Sequence, residues 1–144
     1  WTMQNKAELL KLGSGFHYGE WWGRGIQRAY GLLKGEKRFS LFNTVRWCLH
    51  NETPKLISVD PKTKIEKYQE QLPACCHLVP VLWTGVFDTE VIDNTLGILI
   101  LNGSAASPGF MHPEGVVIYH KAGNVLFKKT IGKDEQPKET NAKQ

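Results

Sequence analysis

Pro-Glu-Gly-Val-Val-Ile-Tyr-His-Lys-Ala-Gly-Asn-Val-Leu-Phe-Lys-Lys-Thr, residues 113–130, holds two apolar runs of strand composition on either side of a short polar turn. Gly115 to His120 and Val125 to Thr130 therefore predict a hairpin, with Lys121-Ala-Gly-Asn124 as its turn. The two-residue period of a strand sets Lys128 and Thr130 on one face and Lys129 on the other. That makes Lys128 the pocket candidate and Lys129 the solvent or nucleic-acid candidate. Glu114 heads the first strand, and an ionised carboxylate beside Val, Val, Ile and Tyr is costly unless it is paired or holds a metal. One explanation is a plain Glu114–Lys128 ion pair across the hairpin. The other is that carboxylate and ammonium flank a bound phosphate, with Mg²⁺ between carboxylate and phosphate oxygen.

Upstream of the hairpin, Asp88 or Thr89 can cap a helix running through Leu101 and closed by Gly103, with Val91, Ile92, Leu96, Leu99 and Ile100 as its buried set. Residues 102–109 read as loop. A strand is expected over 77–83, and the polar, lysine-rich stretch 50–72 before it reads as a long loop or hairpin excursion. Residues 39–47 form another strand candidate, with Phe39 and Leu41 on one face and Phe42 on the other. Residues 15–22 have strand composition and end at Gly23, Gly25 and Gly31, which puts Glu20 at a strand end beside a turn. Asn5 and Glu8, three apart ahead of Leu9, Leu10 and Leu12, predict a capped short helix stopped by Gly13. Helices and strands in this order, with an antiparallel hairpin, give an α+β fold. One domain is expected over 1–132, followed by a polar, disordered tail over 133–144.

The 144 residues are enough for one modest domain, and 41% hydrophobic content supports a real core. The formal charge of +4 suits a polyanionic partner without demanding one. No run of about 18 to 20 apolar residues is present to span a membrane, and no signal-peptide pattern opens the chain. Three cysteines, two of them adjacent at 75 and 76, make neither an even disulfide framework nor a Cys-x-x-Cys site. A reducing, cytoplasmic setting follows as the expectation. Because the first residue is Trp1, the chain reads as a processed product or a fragment of a longer protein.

Two further residues stand out. Phe42 is either a core aromatic or a flat platform on which a purine ring can stack. Glu20, among glycines that let a backbone approach a ligand, is either a surface carboxylate or an acceptor for sugar hydroxyls. The Gly13-Ser-Gly15 and Gly23-Arg-Gly25 pairs lack the Gly-x-x-x-x-Gly-Lys pattern, which excludes a P-loop. His17, His50, His77, His112 and His120 show no metal-ligand spacing and read as structural or surface residues. Cys75 and Cys76 read as packing rather than nucleophile.

Taken in order, four of these segments resemble the RNA ligase branch of the covalent nucleotidyltransferases, the superfamily of DNA ligases, RNA ligases and mRNA capping enzymes. Phe-His-Tyr-Gly-Glu-Trp-Trp-Gly-Arg-Gly, from Phe16, is similar to the Phe-Gly-Glu motif. Phe-Ser-Leu-Phe-Asn-Thr, from Phe39, is similar to the Phe-x-x-Phe-Asp-Ile strand. Pro-Glu-Gly-Val-Val-Ile resembles the Glu-Gly-x-Val motif, and Leu-Phe-Lys-Lys-Thr resembles the closing lysine motif. The stretch from Glu20 to Tyr30 is also similar to ligase-like proteins of actinobacteria and their phages. The resemblance spans residues 13–130 and implies the C-terminal portion of an ATP-grasp-like nucleotidyltransferase domain, with antiparallel sheets and flanking helices.

The resemblance further implies ATP and Mg²⁺ (or Mn²⁺) as cofactors and RNA or nicked nucleic acid as partner. Glu20 would bind the ribose, Phe42 would stack on adenine, Glu114 would ligate the metal, and Lys128 would contact the α-phosphate. In the family reaction a lysine takes AMP from ATP, AMP passes to a 5′-phosphate end, and a 3′-hydroxyl displaces it to seal the strand. Three departures stand. Asn43 replaces the Asp of Phe-Asp-Ile, Thr130 holds the place of a second lysine, and the Lys-x-Asp-Gly nucleophile motif is absent. The expectation is therefore a ligase fragment whose nucleophile lies upstream and which is inactive alone. The alternatives are a noncatalytic nucleic-acid-binding module with a decayed ligase fold, or a guanylyltransferase of the capping type.

Overall fold

Alternation in Lys37-Arg-Phe-Ser-Leu41 turns Phe39 and Leu41 to one side of a strand, and that strand becomes the centre of the first sheet. The computed structural model describes residues 1–26 and 29–132. The expected tail over 133–144 lies outside them. Two compact units divide the chain, Trp1–Val81 and the part from Leu82 onward, where the sequence suggested one domain over 1–132. The first holds α1 (Lys6–Leu10), β1 (Gly19–Gly23), β2 (Lys37–Leu41), β3 (Trp47–Cys48), β4 (Leu56–Val59), β5 (Glu66–Tyr68), β6 (Glu70–Gln71) and β7 (Cys76–Leu78). The second holds α2 (Thr89–Asn102), β8 (Gly115–His120) and β9 (Val125–Thr130). The architecture is mixed α+β with small sheets and few helices. No helix among the described residues is long and apolar enough to cross a membrane.

In the first unit β2 lies between β1, antiparallel to it, and β7, parallel to it. Leu41 and Cys76 face a core completed by Leu12, Trp47 and Leu72. Arg46 fastens this core from outside. Its guanidinium lies 4.4 Å from the Trp47 ring centroid, donates to both Glu70 carboxylate oxygens at 3.0 Å, and donates to the Leu12 carbonyl. These bonds tie the turn after α1 and the residue before β3 to β6 across long sequence separations. Burial pushes the Cys76 thiol up to about 12, with Cys75 adding to the shift, so Cys76 is a packing residue and stays protonated near neutrality.

Several expected boundaries move, each for a local reason. Asn5 does not cap α1 through its side chain, because its amide donates to the Trp1 carbonyl instead. Glu8 accepts from Lys11 and from the Ala74 N–H, and these bonds hold its carboxyl below the usual range. The first strand starts at Gly19 rather than residue 15, since Gly13 and Gly15 hold positive φ of 80° and 107°. Glu20 is thus the second residue of β1 and not its end. The strand expected over 39–47 stops at Leu41, where the Asn43 side chain accepts the Arg46 N–H and forms a turn. The strand expected over 77–83 is only Cys76–Leu78, with Pro80 unable to donate to a ladder just beyond it. The 50–72 excursion contains the β4–β5 hairpin.

In the second unit Asp88 caps α2 by accepting the Glu90 N–H at 2.9 Å. Gly103 ends the helix at φ 82°, a conformation that disfavours any side chain. Leu96 and Leu99 are buried and Val91 and Ile92 partly so, whereas Ile100 is exposed and does not belong to the buried set. Asp88→Ala should destabilise this unit by about 1 kcal/mol, because the Glu90 N–H loses its acceptor. Thermal unfolding followed by far-ultraviolet circular dichroism would measure the loss, and an unchanged midpoint would show that the cap contributes nothing.

Candidate functional site

Cross-strand register gathers the chemistry of the first unit on the face of the sheet opposite the core. Glu20 pairs with Ser40, Ser40 pairs with His77, and Trp22 pairs with Arg38. Phe42, one residue past β2, donates its N–H to the Tyr18 carbonyl at 3.0 Å and so continues the ladder. Tyr18, Glu20 and Trp22 therefore stand beside Phe42, Ser40 and Arg38, with His77 in the Glu20–Ser40 row.

This face has a closed part and an open part. Trp22 is buried, donates its indole N–H to the Ser40 hydroxyl oxygen at 2.9 Å, and meets Tyr30 edge-on and the Arg38 guanidinium at 5.4 Å. Glu36 accepts two bonds from Arg38, which hold its carboxyl below the usual range. In the neighbouring rows the flanking side chains are open, while Ser40 between Glu20 and His77 is buried. Tyr18 is 71% exposed, Phe42 50%, and Glu20 and His77 are exposed as well. Phe42 is accordingly no core aromatic. Partial desolvation holds His77 below the ordinary imidazole range, with Arg38 pushing the same way and Glu36 opposing.

Glu114 and Lys128 come together in the second unit. The Lys128 ammonium lies 3.5 Å from the Glu114 carboxylate, and its side chain is 57% exposed. Lys128 is opposite Val117 in the β8–β9 register, on an exposed face shared with Tyr119 and Leu126. Lys129 points the other way and bonds Asp93 of α2 at 2.6 Å, so the solvent or nucleic-acid candidate is engaged within its own unit. On that second face Phe87 meets both His120 and Phe127. Gly115 opens β8 opposite Thr130 at φ 150°, and a Cβ there would fall 2.1 Å from the Lys129 carbonyl oxygen. The glycine of the Glu-Gly motif is what lets β9 approach Glu114.

No protein-family model, curated protein or solved structure matches the chain.

Metal-binding capacity has to be judged from the donors themselves. Among the described residues no three His, Cys, Asp or Glu side chains converge as a cage. Mg²⁺ does not need one, because it is commonly held by one or two carboxylates together with phosphate and water oxygens. Glu114 with a phosphate beside Lys128 fits that donor set. Sequence reading missed His77, which it left among the scattered histidines, and Tyr18. Both are found only once β2 is paired with its two neighbours, since the signal is a register between strands rather than a spacing along one.

Proposed function

We propose that the chain supplies the nucleotide- and metal-binding part of an ATP-dependent RNA-ligase-type nucleotidyltransferase of ATP-grasp-like fold, with the attacking lysine contributed by a segment outside it. In the first unit, taken by itself, Glu20 takes ribose hydroxyls and Phe42 stacks on adenine. In the second, Lys128 holds an α-phosphate oxygen and Glu114 ligates Mg²⁺ or Mn²⁺. When bound, the cation neutralises phosphate charge as the α-phosphate is transferred. Lys128 adds a fixed positive charge on the same group, and Glu114 orients it by standing against that ammonium. The polynucleotide partner is RNA rather than DNA because the wording of the four ordered motifs is closer to RNA ligases.

The observation that carries this reading is the Glu114–Lys128 pair, set 3.5 Å apart, with the Lys128 side chain more than half exposed. An exposed pair at this distance contributes little to stability and opens readily to a phosphate. The exposed Phe42 ring and Glu20 carboxylate, in adjacent rows of another sheet, support the base and sugar roles.

The test uses the protein with its upstream segment, incubated with ATP or GTP labelled at the α-phosphate. Covalent label from ATP, released when a 5′-phosphorylated RNA is sealed, is the expected result. Label from GTP alone would replace the ligase by a capping-type guanylyltransferase. Failure of both nucleotides to bind or label would leave a noncatalytic nucleic-acid-binding module.

A further inference from the structure

We propose that Phe16 and Tyr18 form a stacking platform for the bases of a single-stranded RNA, separate from the adenine seat at Phe42. Both rings are presented to solvent, Phe16 at 90% exposure and Tyr18 at 71%. The extended segment before β1 explains why. Alternation turns residues 16 and 18 to one side and His17 to the other. The His17 Nε2 lies 3.2 Å from the Gly13 carbonyl oxygen, and its ring lies 6.3 Å from the buried Trp47 ring. The segment is pinned through His17, and the flanking rings face outward, inclined by 29° with centroids 6.4 Å apart. The half-exposed Phe42 follows across the strand pair, its N–H donated to the Tyr18 carbonyl.

Single exposed apolar residues are ordinary on a protein surface, but neighbouring rings left uncovered on a fixed segment mark a contact surface. Charge decides which partner. Trp1–Val81 carries 12 Lys and Arg against 7 Asp and Glu, so the positive excess of the chain lies in the unit that presents the rings. A single strand matches both features, since its phosphates meet basic side chains and its unpaired bases lay flat faces on the rings. A duplex matches only the charge, because its bases are already stacked inside. An apolar protein segment matches only the rings. Rings two residues apart on an extended segment stand about 7 Å apart, so each takes a base of its own. The choice of RNA for the strand rests on the ligase-type reading above, whereas the platform does not.

The experiment follows a short, fluorescein-labelled single-stranded RNA by anisotropy as the full chain is added, with ATP binding measured in parallel. Phe16→Ala and Tyr18→Ala should each weaken the strand by about fivefold or more, the loss of one stacked base. Affinity should also fall as salt rises. Phe16→Trp should keep the strand. Phe16→Leu, which stays apolar but loses the flat face, should be as weak as Phe16→Ala. ATP affinity should not follow Phe16. Both rings are exposed, so unchanged thermal unfolding midpoints in these variants would separate a lost contact from a lost fold. Strand affinity unchanged in both alanine variants, full affinity in Phe16→Leu, or equal affinity for the same sequence as a duplex would each overturn the platform. If ATP binds and the strand does not, the platform falls and the nucleotide site stands. If strand binding depends on the rings while no nucleotide binds, the platform stands and the ligase-type reading falls.

Discussion

Lys128→Ala, made in the protein that carries the nucleophilic lysine, is expected to cut covalent AMP capture by about 10²–10³-fold, the usual cost of deleting one donor to a developing oxyanion. Nucleotide binding should weaken much less, because a charge placed on the α-phosphate acts mainly where negative charge develops. Lys129→Ala is the sharp comparison. Its side chain lies on the other face of β9 and bonds Asp93, so its removal should leave AMP capture intact and cost at most a little stability, as exposed pairs do. Rates of label incorporation for both variants would decide. Equal losses from the two would show that β9 does not present Lys128 and Lys129 to different surroundings, and would remove the phosphate role from Lys128.

The second large effect concerns the core. Trp47 is 2% exposed and packs with Leu12, Leu41, Leu72 and Cys76, so Trp47→Ala should destabilise the first unit by about 3–5 kcal/mol. That is a large part of the stability of an ordinary domain. Trp47 carries two further contacts, the Arg46 guanidinium over its ring and His17 at 6.3 Å. Trp47→Phe should recover much of the loss by keeping most of the buried area. Urea unfolding would measure both, and a loss below about 1 kcal/mol for the alanine variant would show that the cavity collapses freely.

How much the sequence discloses varies between the two units, and the reason is the distance over which each contact is made. Asp88, Gly103 and the turn ending at Asn124 act within a few residues, and the helix and hairpin they bound are readable from the string of residues alone. The first unit depends on partners far apart. Phe39 meets Cys76 and Trp47 meets Glu70 in parallel pairs, and no local period announces either. Short strands compound this, since two residues at Trp47–Cys48 are too few to show alternation. Competing side-chain bonds moved the remaining boundaries. The Asn5 amide bonds Trp1, and the Asn43 oxygen ends a strand that composition alone would continue.

Candidate residues follow the same division. Glu114 and Lys128 are legible as neighbours at one end of a hairpin, although the register sets Lys128 opposite Val117 and the two meet only through their long side chains. Phe39, Leu41 and Phe42 separate as the two-residue period requires, which put the Phe42 ring on the open side. Glu20 was recognisable, but its neighbours across the sheet were not. His77 lies 57 residues further along the chain, as the numbering shows, and only pairing through Ser40 brings it into the row.

The glycine at 115 has an evolutionary consequence. Any codon change there that alters the amino acid adds a Cβ, and every such atom lands against the β9 backbone. The position therefore has no tolerated neighbour in sequence space, while Val117 and Leu126 on the exposed face are free to drift. Lineages descending from this chain should keep Gly115 long after the surrounding apolar residues have been exchanged, and should lose it only together with the hairpin that brings Lys128 to Glu114.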